Sequence, residues 1–332
     1  MSDKALLMRS LSVEAGLADL AAFADYFEAT QLAGASAKWL IIGGSYAGAM
    51  ASWARLAYPE RFDAAWSSSG VVEAVFDYFQ FDATVVADVS TECAAALRAI
   101  TARAEAAWDA PAERARMLAL FNAPDSLSRT DFLWMLADSG AMGPQYGAKD
   151  ALCAAVLPVG ADPLAQFATW TKNRYGAGFA ASCYYNTQCL SDASQSGQWA
   201  NQLSWVWQCC SQLAYWQPGS ATSIRSRAIT TDYFTAQCQS AFAPGLVANT
   251  TGFNERHGGW NSAVTRVVAL SGSDDPWSHA CVNASRPDSE VFFARADCDG
   301  CGHCGDLSAG AKPAIAAQHA LIASSIAKWL QA

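Results

Sequence analysis

The chain has 332 residues, which at ~150 residues per domain suggests two domains or one large domain with an insertion. Hydrophobic residues make up 52% and charged residues 15%, a balance that buries a large core and excludes a disordered chain. Asp and Glu number 30 against 21 Lys and Arg, for a net charge of -9, so nucleic acid, whose phosphates call for basic clusters, is not expected as a partner.

In chain order, Ser12 can cap a helix over residues 12 to 29, where Leu17, Leu20, Ala24 and Phe27 share one face. Lys38 to Ile42 reads as a strand ended by Gly43-Gly44, and Met50, Trp53 and Leu56 mark the helix that follows, stopped by Pro59. Phe62 to Trp66 reads as a second buried strand running into Ser67-Ser68-Ser69-Gly70. From Val72 to Gln217 the chain turns to Ala-rich amphipathic helices such as Thr91 to Trp108 and Ala112 to Phe121, an inserted helical domain. Strands return at Thr265 to Leu270 and Val291 to Ala296, and a helix from Pro313 to Leu330 closes the chain. The expected division is therefore 1–71 and 218–332 for the strand-containing parts and 72–217 for the helical domain.

No membrane is expected as a partner, because the most apolar stretch, Ala314 to Leu330, is interrupted by Gln318, His319, Ser324, Ser325 and Lys328. The start, MSDKALLMRS, has no apolar segment of signal-peptide length. Eleven cysteines and the sequons at Asn249 and Asn283 nonetheless fit a disulfide-bonded, glycosylated product of the secretory pathway. Eleven is odd, which leaves at least one thiol unpaired within the chain.

Gly43-Gly44-Ser45-Tyr46-Ala47-Gly48 lies between a predicted strand and a predicted helix, the context of a nucleophile elbow, with Ser45 as the nucleophile. A structural glycine-rich turn is the alternative, since the strict pattern has Gly where Ala47 stands. The Tyr46 backbone N–H, at the start of the helix, would stabilise an oxyanion. A serine needs a histidine to take its proton and a carboxylate to orient that histidine. Of four histidines, His303 follows the strand Val291 to Ala296 and Asp275 follows the strand before it, in the order Ser, Asp, His. His319 sits inside the last helix, and His257 and His279 are loop residues that no strand places. Cys298, Cys301, His303 and Cys304 also invite a zinc reading, but adjacent His303 and Cys304 converge poorly on one ion. Disulfides bracing this loop, one of them to Cys281, are the preferred reading, with no metal and no cofactor.

The segments LSVEAGLADLAAF, GGSYAGAMASWARLAYPERFDAAWSSSGVV, WVWQCCSQLAYWQ, FNERHGG, SGSDDPW and GHCGDL together resemble the lysosomal Pro-Xaa carboxypeptidase and dipeptidyl-peptidase II family of serine peptidases, over most of residues 11 to 332. The resemblance implies an α/β-hydrolase fold with a helical cap, the triad Ser45, Asp275 and His303, and Trp277 lining a pocket for proline. A buried core tryptophan is the plainer role for Trp277. Peptides with proline near a terminus are the implied partners, with a homodimer left open. Ser211-Gln212 stands after Cys210 where the family has Thr-Glu, and neutral Gln212 cannot pair with a substrate ammonium, which favours the carboxypeptidase reading over the dipeptidyl-peptidase one. In such a fold the elbow follows the fifth strand, whereas the 44 residues before Ser45 read as helix. The fold is thus expected to be incomplete, lacking its first strands and the loop that supplies a second oxyanion N–H. A weak or inactive remnant is the competing reading, and an esterase or acyltransferase using the same triad is a third. For work in an acidic lysosome-like compartment the pKa of His303 has to fall, and burial is expected to prevail over Asp275 in setting it.

Overall fold

The structure is a computed structural model that describes residues 4–157, 162–192, 198–309 and 312–331. It divides into two compact units, Ser10–Ala74 with Thr250–Ala332, and Met1–Arg9 with Val75–Asn249. The first carries a four-stranded, wholly parallel sheet in the order β1-β2-β3-β4 (β1 Leu40–Gly44, β2 Ala64–Ser68, β3 Val267–Gly272, β4 Val291–Ala296). The other holds helices joined by irregular loops and, among its described residues, no strand apart from a lone bridge between Val75 and Ala214.

In chain order the helices are α1 (Lys4–Ser10), α2 (Val13–Gln31), α3 (Tyr46–Ala57), α4 (Gln80–Asp88), α5 (Thr91–Trp108), α6 (Pro111–Phe121) and α7 (Arg129–Gln145). There follow α8 (Lys149–Val156), α9 (Pro163–Tyr175), α10 (Thr187–Ser191), α11 (Gln198–Gln208), α12 (Thr231–Ala241), α13 (Thr250–His257) and α14 (Pro313–Gln331). Ser12 caps α2 by accepting the Ala15 N–H at 3.1 Å, and Ser90 caps α5 by accepting that of Cys93 at the same distance.

The parallel sheet is covered on both faces, as such sheets require. The period-2 alternation of β2 shows how. Ala64 and Trp66 pack with Ile322 and Trp329 of α14, whereas the hydroxyl of Ser67, on the opposite face, donates to the Gly48 carbonyl of α3 at 2.8 Å. Behind α3, Trp53 meets Phe253 of α13 edge-on at 5.0 Å.

The helical unit extends to Asn249, past the expected boundary at 217, and takes in α1. Covalent and ionic ties that composition does not reveal account for this. A Cys210–Cys238 disulfide fastens α12 to the end of α11. Arg225, fully buried, reaches Asp82 at 3.1 Å and Asp138 at 2.7 Å. Lys4 of α1 donates to the carbonyls of Leu190 and Ala241. Cys93–Cys153 joins α5 to α8.

Trp329 is 1% exposed and stacks on Phe292 of β4 at 5.8 Å. Trp329→Ala is therefore expected to cost about 3–5 kcal/mol of stability, read as a lower urea-unfolding midpoint; an unchanged midpoint would place this helix outside the core.

Candidate active site

The turn from β1 into α3 is closed by glycines at the points of closest approach. A Cβ on Gly43 would lie 2.0 Å from the Ala47 carbonyl oxygen, and one on Gly48 would lie 2.7 Å from that of Ser68. Ala47 is exposed, so the methyl that departs from the strict elbow pattern meets no obstacle. Between them Ser45 adopts φ 59°, ψ -128°, a conformation that costs an L-residue about 1–3 kcal/mol and is held only where the surroundings over-determine it. Its N–H donates to the Ser68 carbonyl at 2.9 Å, and its carbonyl accepts from Ala49 at 3.1 Å. Tyr46 is the first residue of α3, so its N–H stands at the positive end of the helix dipole.

Asp275 follows β3 and His303 follows β4. The two are in contact: His303 Nδ1 lies 2.8 Å from Asp275 Oδ1, with Asp275 fully buried and His303 8% exposed. Asp275 Oδ1 also accepts the Trp277 N–H at 2.9 Å. The loops that carry this pair are stitched together by Asp274, whose Oδ2 accepts the Gly300 N–H at 2.6 Å and whose own N–H donates to the Cys301 carbonyl at 3.0 Å. Gly272 is obligatory at that crossing, because its Cβ would fall 1.9 Å from the same carbonyl oxygen. From there the histidine loop returns across the end of β2 to the elbow. The Cys304 N–H donates to Ser69 Oγ at 2.9 Å, and a Cβ on Gly44 would lie 3.1 Å from Cys304 Sγ. The residue before Ser45 and the residue after His303 are thus neighbours.

Burial disfavours the His303 imidazolium, yet the Asp275 carboxylate and the Cys304 side chain outweigh it and raise the group to about 10. This reverses the expectation that burial would prevail. The cause is the short contact with the Asp275 carboxylate, which favours the charged imidazolium by both charge and hydrogen bonding, with Cys304 acting the same way.

Cys281 is a free, buried thiol and not a brace for the histidine loop. It donates to the Trp277 carbonyl at 3.3 Å, and burial, aided by Asp275 and Cys304, raises its pKa and keeps it protonated. The local brace is a Cys298–Cys301 disulfide. The described residues contain no group of three or more metal-ligating side chains arranged to hold an ion.

The other histidines have structural surroundings. His257 ends α13 against Phe253 at 4.3 Å and Trp53 at 5.5 Å. His279 is exposed. His319 Nε2 lies 2.8 Å from the Asp306 carbonyl, to which it donates. Trp277 is half-buried with its ring centre 6.4 Å from that of His303. Gln212 belongs to the helical unit, in a π-turn over Cys209–Leu213. Asn249 and Asn283 are both exposed. Sequence reasoning passed over Asp274, Asp306 and the Ser68-Ser69 pair; the run of small hydroxyl residues ending β2 was the available signal.

A strained serine at a strand–helix elbow, followed in chain order by an Asp–His pair after the last two strands, is the arrangement of the α/β-hydrolase fold. The profile of the family described as Serine carboxypeptidase S28 matches residues 1–314, and the chain belongs to that family. Among curated relatives, "Probable serine protease EDA2" of Arabidopsis thaliana is 28% identical over 315 residues, 90% of this chain and 63% of that protein. "Probable extracellular serine carboxypeptidase" of Arthroderma benhamiae is 26% identical, over 84% of this chain and 46% of its own length. "Thymus-specific serine protease" of Mus musculus is 24% identical over 98% and 70%. The chain thus spans less than two thirds of the first two.

Because the folded pKa of His303 lies above the unfolded value of ~6.5, its contribution to stability is complete below ~6.5 and is lost as pH rises through about 10. Urea unfolding of wild type against Asp275→Asn should show a stability difference that shrinks across that window; a difference that grows with pH would contradict the pairing.

Proposed function

We propose that the protein is a serine exopeptidase that cleaves next to proline through an acyl-enzyme on Ser45. The observation that carries this reading is the conjunction of the strained Ser45 backbone with the buried Asp275–His303 pair. Neutral His303 takes the proton of Ser45 as the hydroxyl attacks the peptide carbonyl. Asp275 stabilises the resulting imidazolium and holds the ring orientation, and the imidazolium then protonates the leaving amine. The Tyr46 N–H and the α3 dipole stabilise the oxyanion, an interaction whose loss costs about 2.7–4 kcal/mol of transition-state stabilisation per donor in other serine hydrolases. Water repeats the sequence on the acyl-enzyme.

Trp277, partly exposed beside His303, is the residue we assign to the proline pocket. Gln212 carries no charge for a substrate ammonium, so the Pro-Xaa carboxypeptidase reading is preferred to the dipeptidyl-peptidase one. Four disulfides among the described residues and the name of the extracellular relative support passage through the secretory pathway, with glycans on exposed Asn249 and Asn283.

A fluorophosphonate probe should label Ser45 and no other serine, and Ser45→Ala should abolish both labelling and turnover while the protein stays folded. Folded protein that resists the probe would favour the inactive-remnant reading. In kcat/KM against pH, the acidic limb should have its midpoint above ~6.5 and move down in Cys304→Ala, since the Cys304 side chain helps to hold the proton; an unmoved limb in this variant would remove Cys304 from the account. A Pro-Xaa peptide with a blocked amino terminus should be cleaved in preference to an Xaa-Pro-amide reporter, and the reverse preference would overturn the carboxypeptidase assignment.

A further inference from the structure

Asp306 lies three residues beyond His303 and is 2% exposed. Among the described residues no lysine, arginine or histidine side chain forms an ion pair with its carboxylate. Burying a carboxylate without a cation is costly unless its lone pairs are filled, and here the filling is specific. Oδ1 accepts from Ser68 Oγ at 2.6 Å and Oδ2 from Trp66 Nε1 at 2.8 Å. Both donors belong to β2, two residues apart and so on one face, which lets a single carboxylate span them with one oxygen each. The main chain of the same residue is held from a second direction, by His319 of α14.

We infer that Asp306 is a positioning residue, which locks the histidine loop to the catalytic end of β2 and thereby keeps the His303 ring aligned with both Asp275 and the elbow. The inference rests on the acyl-transfer reading above and deepens it. Its geometric force comes from Ser68. The backbone carbonyl of that residue receives the Ser45 N–H at 2.9 Å while its hydroxyl donates to Asp306, so nucleophile and base are referred to one residue of one strand. The Cys304 N–H to Ser69 Oγ bond fixes the loop on the His303 side of Asp306, and together these contacts leave it little freedom to slide along the strand.

The test compares Asp306→Ala with Asp306→Asn in the full chain. Asn can keep both contacts, accepting from Trp66 through Oδ1 and donating to Ser68 Oγ through Nδ2; Ala can keep neither. Asp306→Ala is expected to lower kcat about tenfold to a hundredfold, the scale of a small misplacement of a catalytic group, with KM unchanged. Asp306→Asn is expected to restore most of kcat. The far-downfield proton resonance of the His303 Nδ1–H bond to Asp275 should persist in wild type and Asp306→Asn and broaden by exchange in Asp306→Ala. Wild-type kcat together with a sharp resonance in folded Asp306→Ala would overturn the proposal. So would an Asn variant as impaired as the Ala variant, which would assign the effect to charge. Should Asp306→Ala fail to fold, Ser68→Ala and Trp66→Phe each remove one donor, and the same resonance and kcat readouts apply with smaller losses expected. If the wild type is not acylated at Ser45, the peptidase reading fails, and the resonance alone still decides whether Asp306 orients His303.

Discussion

The end of β2 bears two demands at once. Through its carbonyl, Ser68 holds the N–H of Ser45 and so supports a backbone conformation that the serine would not adopt unaided. Through its hydroxyl, and with Trp66 beside it, the same strand holds Asp306 and the loop that carries His303. Ser67, facing the other way, ties α3 to the strand at Gly48, and Ser69 ties down Cys304. Four consecutive small residues, Ser67 to Gly70, are required because α3, the elbow and the histidine loop all approach within hydrogen-bonding or van der Waals distance. A Cβ on Gly70 would meet Ser67 Oγ at 2.1 Å and the backbone of Gly48 and Ala49.

The second constraint is electrostatic. A carboxylate removed from water loses solvation, and so does the imidazole beside it, and the 2.8 Å bond between them favours the charged form of each. That contact, with Cys304 beside it, ties the protonation of His303 to Asp275 and Cys304. His303 is therefore poised to hold a proton, and its neutral form becomes more available as pH rises. Asp274, next in sequence to Asp275, has a different duty: it stitches the loop after β3 to the loop after β4, which keeps Asp275 and His303 in register. Two adjacent aspartates thus serve one pair, one by charge and one by geometry.

Much of this was legible in the amino-acid sequence. Local signals of a few residues suffice for Ser12 to cap α2, for Gly43-Gly44 to end a strand, for Pro59 to stop a helix and for Val291 to Ala296 to form β4, because each depends on backbone preferences and on apolar periodicity. The order Ser45, Asp275, His303, each after a strand, was readable for the same reason, and it is His303 among the four histidines that meets Asp275. Tertiary structure alone decided the rest. The helical unit reaches Asn249 and holds the Cys210–Cys238 disulfide, and partners distant in sequence leave no local mark. The free state of Cys281 and the Cys298–Cys301 disulfide are decided in the same way. The direction of the His303 shift required knowing that the Asp275 carboxylate sits 2.8 Å from the ring and that Cys304 lies beside it. The duty of Asp306 required knowing that Trp66 and Ser68 stand on one face of a strand some 240 residues away in the chain, a proximity created by the parallel packing of the sheet and by nothing local to any of the three.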